Sequence, residues 1–188
     1  MKTGFLPPVL LGLALTVSGC ASMGVGYSGN ENYGERTFGM QVEDQGIESK
    51  IRNNLVSQDA RFGDAHVNVD SYNGVVLLTG QVPSQELKDK AITVAQNVRN
   101  VRQVHNELAV AANAPLSQRT TDTWLTARIR TALIGNERID AGRIRVITEN
   151  ASVYLMGLVT RAEAERVVNA VSEIGGVQRI VKVFEYLD

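Results

Sequence analysis

The chain is 188 residues long and carries 19 Lys or Arg against 20 Asp or Glu, a net charge of −1. That balance excludes a general nucleic-acid binder, which needs a concentrated basic surface, and a single cysteine excludes any disulfide within the chain. Once a cleaved leader is removed, the remainder is long enough for one medium domain or two very small ones.

The leader comes first. Met1-Lys2, an apolar run from Phe5 to Val17 and the small pair Ser18-Gly19 before Cys20 read as a secretory signal over residues 1–19, cleaved at the cysteine. The run falls short of the roughly 20 apolar residues that a spanning helix needs. Val17-Ser18-Gly19-Cys20 resembles the bacterial lipobox, which implies a diacylglycerol on the Cys20 thiol. The alternative is an ordinary signal with a chance cysteine. With two or more acyl chains, release from a membrane is negligible. By resemblance to lipoprotein sorting, Ala21-Ser22 lacks the aspartate of inner-membrane retention, so the expected location is the outer membrane, at its periplasmic face, held by lipid. Residues 20–43 are rich in Gly, Ser, Asn and Tyr without an apolar period. They are expected to form a flexible tether whose ends lie roughly 25–30 Å apart.

From there the chain says one thing twice. Asp44, Ile47, Ile51, Leu55 and Val56 correspond to Asp122, Leu125, Ile129, Leu133 and Ile134. Val67 to Gly80 corresponds to Ile144 to Gly157, and Val101, Val104 and Leu108 to Val177, Ile180 and Phe184. Each copy opens with apolar residues at helical spacing after an Asp suited to N-capping. Two β-branched runs follow, His66 to Asp70 and Val75 to Thr79 in the first copy, joined by Ser-Tyr-Asn-Gly as in a hairpin. A second helix begins near Ser84 and near Arg161, and a last strand covers Val104 to Val110 and Ile180 to Tyr186. The predicted architecture is α+β: two tandem two-layer domains, 44–110 and 122–188, each α-β-β-α-β with two helices covering a three-stranded sheet. Residues 111–121, with Pro115 and no period, are predicted to be a linker.

The element order, the repeat length and the recurring apolar-apolar-Gly at Leu77 to Gly80 and Leu155 to Gly157 resemble the BON domain. Gly176-Val177 fits that pattern, whereas the first copy departs from it with Asn100. Two such domains behind a lipobox resemble the outer-membrane lipoproteins of this family over essentially the whole mature chain. The resemblance implies binding of anionic phospholipid, phosphatidylglycerol or cardiolipin, through the second domain. It also implies support of outer-membrane integrity, enrichment at division sites, and a contact with the β-barrel assembly machinery.

No catalytic constellation stands out, and neither an enzyme, a cofactor nor a metal is expected. His66 and His105 fall in separate strands without ligand spacing. Gly175-Gly176 reads as a helix end, and carboxylate pairs such as Glu163 and Glu165 read as solvated faces.

The first helix of the second copy is different. At 100° per residue, Leu125, Ile129, Ala132 and Leu133 mark the core side, and Trp124, Ala127, Arg130, Thr131 and Ile134 lie opposite, where solvent is expected. Trp124 is the only tryptophan, and its amphipathic ring suits a headgroup boundary. Arg128 and Arg130 flank it, and from Asp122 to Thr148 five arginines face three acids. The first copy has Gly46, Ser49, Arg52, Asn53 and Val56 instead. The candidate lipid-binding residues are therefore Trp124, Ala127, Arg128, Arg130, Thr131 and Ile134, beside the lipidation site Cys20. The residues alone leave two readings of Trp124, lipid contact or packing on the first copy. They also leave a second function class, a scaffold for envelope machinery that touches membrane only through Cys20. A monomer that binds no nucleic acid is expected under either.

Overall fold

The computed structural model describes residues 34–188. Cys20, the signal segment and residues 20–33 of the expected tether lie outside the described residues. Two α+β domains follow one another. The first comprises α1 (Phe38–Gln58), a 3-10 turn, β1 (His66–Tyr72), β2 (Val75–Val82), α2 (Gln85–Gln96), β3 (Gln103–Asn106) and β4 (Ala109–Val110). The second comprises α3 (Leu116–Ile134), a 3-10 turn, β5 (Arg145–Glu149), β6 (Ser152–Val159), α4 (Arg161–Ser172) and β7 (Arg179–Tyr186). In each, the central strand pairs antiparallel with the strand before it and parallel with the last. The first sheet counts four strands because its last strand breaks. At the break the Leu108 N–H donates to the Asn106 side-chain oxygen at 3.1 Å instead of to the ladder.

The caps explain the starts of three helices. Thr37, Ser84 and Thr160 accept from Met40, Leu87 and Glu163 backbone N–H groups, and Glu163 completes a capping box. Two expected boundaries move. Residues 38–43, read as tether, are helical, because Thr37 supplies the cap and Met40 packs against buried side chains of both domains. Residues 116–121, read as linker, are the first turns of α3; Pro115 fixes the extended residue before them, and Thr120 and Thr121 donate back to Leu116 and Ser117 carbonyls.

Asp44 and Asp122 do not cap helices, as the sequence reading expected. They lie inside α1 and α3, buried, and hold the hairpin turns from below. Asp44 accepts from Ser71 Oγ (2.7 Å), Asn73 N (2.9 Å) and Gly74 N (3.0 Å). Asp122 accepts from Asn150 N and Ala151 N, both at 2.9 Å. The apolar-apolar-Gly motif has an equally local cause. A Cβ on Gly80 would lie 1.9 Å from the His66 carbonyl oxygen, and one on Gly157 would lie 2.7 Å from that of Arg143; only a hydrogen fits beneath the crossing chain.

The strand period shows how the domains combine. Along β2, Val76, Leu78 and Val82 face their own helices, whereas Val75 and Leu77 face the other way. Along β6, Val153 and Leu155 pack on α3 and α4, whereas Tyr154, Met156 and Leu158 join Val75, Leu77 and Tyr72 in a shared cluster. The backs of the two sheets therefore meet, with the helices outside. Polar bridges surround this contact. Arg145 reaches Asp70 at 2.6 Å and Glu48 at 2.9 Å, Gln81 donates to Glu149 at 2.6 Å, and the Tyr72 hydroxyl donates to the Arg143 carbonyl at 2.8 Å. Burial pushes the Asp70 carboxyl up, an effect that the Arg145 guanidinium opposes.

Candidate functional site

Because the sheets occupy each other, the outer face of α3 is left to solvent. Trp124 is 68% exposed and Ile134 is 74% exposed. Trp124 is absent from the cluster between the domains. Trp124, Ala127, Arg128 and Thr131 follow the i, i+3, i+4, i+7 spacing of one helical stripe. With Ala132 and Ile174 they line a shallow concavity of about 400 Å³. Ala132, assigned to the core side from the sequence, is exposed; the core of this helix is Leu125, Ile129 and Leu133.

The other two candidates turn away from this stripe. Arg130 and Ile134 border a separate groove of about 340 Å³, together with Arg36, Tyr72, Ile144 and Arg145. The six candidate residues on α3 thus serve two neighbouring surfaces instead of one. Both guanidinium groups are held to the fold by one bond each. Arg128 Nη1 donates to the Gly175 carbonyl at 3.2 Å and Arg130 Nη2 to the Val146 carbonyl at 3.2 Å. A guanidinium has five N–H donors, so each keeps donors for another group.

The arginine surplus of this region is smaller in space than along the chain. Arg143 pairs with Asp140 at 3.0 Å and with Glu163 at 2.5 Å. Burial works against the charge of Arg143, but these carboxylates outweigh it and raise its pKa. Arg145 is taken up by Glu48 and Asp70 of the first domain. Of the five arginines of this region, Arg128 and Arg130 on α3 and Arg138 after it have no carboxylate partner among the described residues.

Sequence reasoning missed the contribution of the first domain. Arg36, just before the cap of α1, pairs with Asp44 at 2.8 Å and stacks 3.7 Å over the Tyr72 ring. The residues leading into α1 run along the second domain: a Cβ on Gly34 would lie 2.6 Å from the Leu158 carbonyl oxygen. Arg36 itself lines the groove that α3 borders, so the segment ahead of α1 runs beside it. His66, read as an isolated histidine, sits 3.4 Å from Glu149 of the other domain. Neither the stacking of Arg36 on Tyr72 nor the pair of His66 with Glu149 has a local signature, since each joins residues far apart in sequence. Among the described residues no group of three His, Cys, Asp or Glu is arranged for a metal, and no helix is long and apolar enough to cross a membrane.

Comparison with known proteins agrees with the repeat. The BON domain model matches residues 43–112 and 121–188. The chain is similar to Outer membrane lipoprotein DolP of Haemophilus influenzae, 37% identical over 184 residues, covering 96% of this chain and 95% of the relative. It is also similar to the 21 kDa hemolysin of Actinobacillus pleuropneumoniae, 33% identical over 81% of this chain and 78% of that protein. Osmotically-inducible protein Y of Escherichia coli is 26% identical over 80% of this chain and 79% of its own.

Proposed function

The chain belongs to the BON domain family, and from that premise we propose that it is an outer-membrane lipoprotein, anchored through Cys20 at the periplasmic face, whose helix α3 binds anionic phospholipid. The observation that carries this reading is the exposure of Trp124, at 68%, on a helix face that the packing of the two domains leaves uncovered. An indole beside Ala127, with Arg128 at the rim, is the composition of a peripheral membrane contact. The anchor supplies residence and α3 supplies selectivity. Once tethered, α3 samples the surface at high effective concentration, so a weak intrinsic affinity is enough. Through these two attachments the protein supports outer-membrane integrity, with enrichment at division sites as its lipid target dictates.

Co-sedimentation with vesicles tests this. A soluble form beginning at Ala21 is expected to bind phosphatidylglycerol or cardiolipin vesicles and not phosphatidylcholine vesicles, and Trp124→Ala is expected to reduce that binding at least tenfold. Equal binding by wild type and variant, or none to any vesicle, would overturn the reading and leave a scaffold for envelope machinery such as β-barrel assembly in its place.

A further inference from the structure

The groove between α3 and the first domain is not part of the Trp124 stripe, and its chemistry differs. Its apolar floor comes from the second domain, Leu133, Ile144 and Val146, with Ile134 at the lip. Its cations come from three separate elements: Arg36 ahead of α1, Arg130 on α3 and Arg145 on β5. No carboxylate lines it. Arg145 spends its donors on Glu48, Asp70 and the Ser71 carbonyl. Arg36 is held in place by Asp44 and by the Tyr72 ring. Arg130 has no carboxylate within ion-pair distance among the described residues and gives one bond to a backbone carbonyl. A cation without a counter-ion, over an apolar floor, within a volume in the ~300–1,000 Å³ range of ligand sites, is complementary to an anionic amphiphile.

We infer that this groove seats one anionic phospholipid, its phosphate on Arg130 and Arg36 and the upper part of one acyl chain on Ile134, Ile144 and Val146. This rests on the reading of α3 as a membrane-facing helix, and deepens it: Trp124 and its stripe engage the surface, while the groove takes a single molecule. The site needs both domains, because Arg36 and Tyr72 form its far wall. The segment ahead of α1 passes beside it, since Arg36 is part of its lining.

A monomeric lipid separates this site from surface binding. Dihexanoyl phosphatidylglycerol, kept below its micelle concentration, is titrated into the soluble form beginning at Ala21 while amide NMR shifts are followed. Saturable shifts are expected at Tyr72, Gly142 and Arg145. Trp124→Ala is expected to leave them unchanged, and Arg36→Gln to weaken the titration about fivefold, the effect of losing one basic contact to an anionic lipid. Inorganic phosphate and dihexanoyl phosphatidylcholine are expected to give no saturable shifts. Shifts confined to Trp124, Ala127, Arg128 and Thr131, or the same saturation with phosphate alone, would overturn the groove while leaving vesicle binding through α3 standing. Absence of vesicle binding in the parallel assay would instead remove the α3 reading on which it rests.

Discussion

Ala151 occupies the place in the second hairpin turn that Gly74 holds in the first. Its φ is +57°, beside Asn150 at +53°, and a left-handed conformation costs an alanine roughly 1–2 kcal/mol. Asp122 holds the strained turn through its bonds to both N–H groups. Ala151→Gly is expected to raise stability by about 1 kcal/mol, read as a higher urea midpoint with an unchanged slope. Asp44 makes the same kind of contact in the first domain. Burial would raise its carboxyl, but bonds from Gly74, Ser71, Asn73 and Arg36 outweigh this and hold it below the usual carboxylate range. A carboxyl lowered in the folded state stabilises fully above its unfolded pKa of about 4, and that contribution is lost as pH falls through the folded value. Asp44→Asn is therefore expected to cost roughly 1–3 kcal/mol at neutral pH. Chemical denaturation along a pH series should show the gap to wild type closing as the solution is acidified below pH ~4. Both aspartates were visible in the sequence as a repeated residue at the head of an apolar helix. Their role was not, because a cap and a buried turn-holder differ only in what the chain does 27 or more residues later.

At the scale of the element, α3 was legible in its exposed stripe and illegible in its start and its charges. The period that marked Trp124 opposite Leu125 and Ile129 comes from the helix alone, so sequence suffices. The first turns, Leu116 to Thr121, carry no apolar period, and Leu116 is 77% exposed; they are helical by continuity with a helix anchored elsewhere. The arginines could not be sorted without their distant carboxylates. That sorting predicts different outcomes for residues that look alike along the chain. Arg128→Gln and Arg130→Gln are each expected to weaken vesicle binding about fivefold, near 1 kcal/mol apiece, with a shallower salt dependence. Arg143→Gln, whose guanidinium is committed to Asp140 and Glu163, is expected to leave vesicle binding unchanged and to lower the thermal midpoint instead. Equal losses from all three in the co-sedimentation assay would refute the distinction.

For the whole molecule, the duplication was plain in the sequence and the docking of its two halves was not. One signal was present. The strand segments VVLLTGQV and SVYLMGLV each contain an unbroken apolar stretch, VVLL and VYLM, and a sheet with one solvated face alternates instead. Their second apolar face called for a cover, and each domain proves to be the cover of the other. Fully burying a side chain such as Tyr154, Met156 or Leu77 is worth roughly 1.5–3 kcal/mol, so separating the halves exposes a sheet back that water disfavours. Residues 116–188 expressed alone are expected to self-associate or to melt well below the intact chain. Analytical ultracentrifugation and a thermal scan would show this, and a monodisperse fragment as stable as the parent would contradict it.

The shared sheet backs also bear on what each copy is free to become. Two repeats strung on a flexible linker can be lost, gained or shuffled without harm to the neighbour, but repeats that complete one another's interior cannot. Here the apolar surfaces that hold the halves together lie on the strands, and the surfaces open to change lie on the helices outside. One copy could thus carry a tryptophan and an arginine without a carboxylate partner on its first helix, while the other has Gly46 at the tryptophan's place and, at the arginine's, Arg52 paired with Glu48 at 3.7 Å. Joining the halves back to back made the duplication permanent, and left each outer face free to specialise.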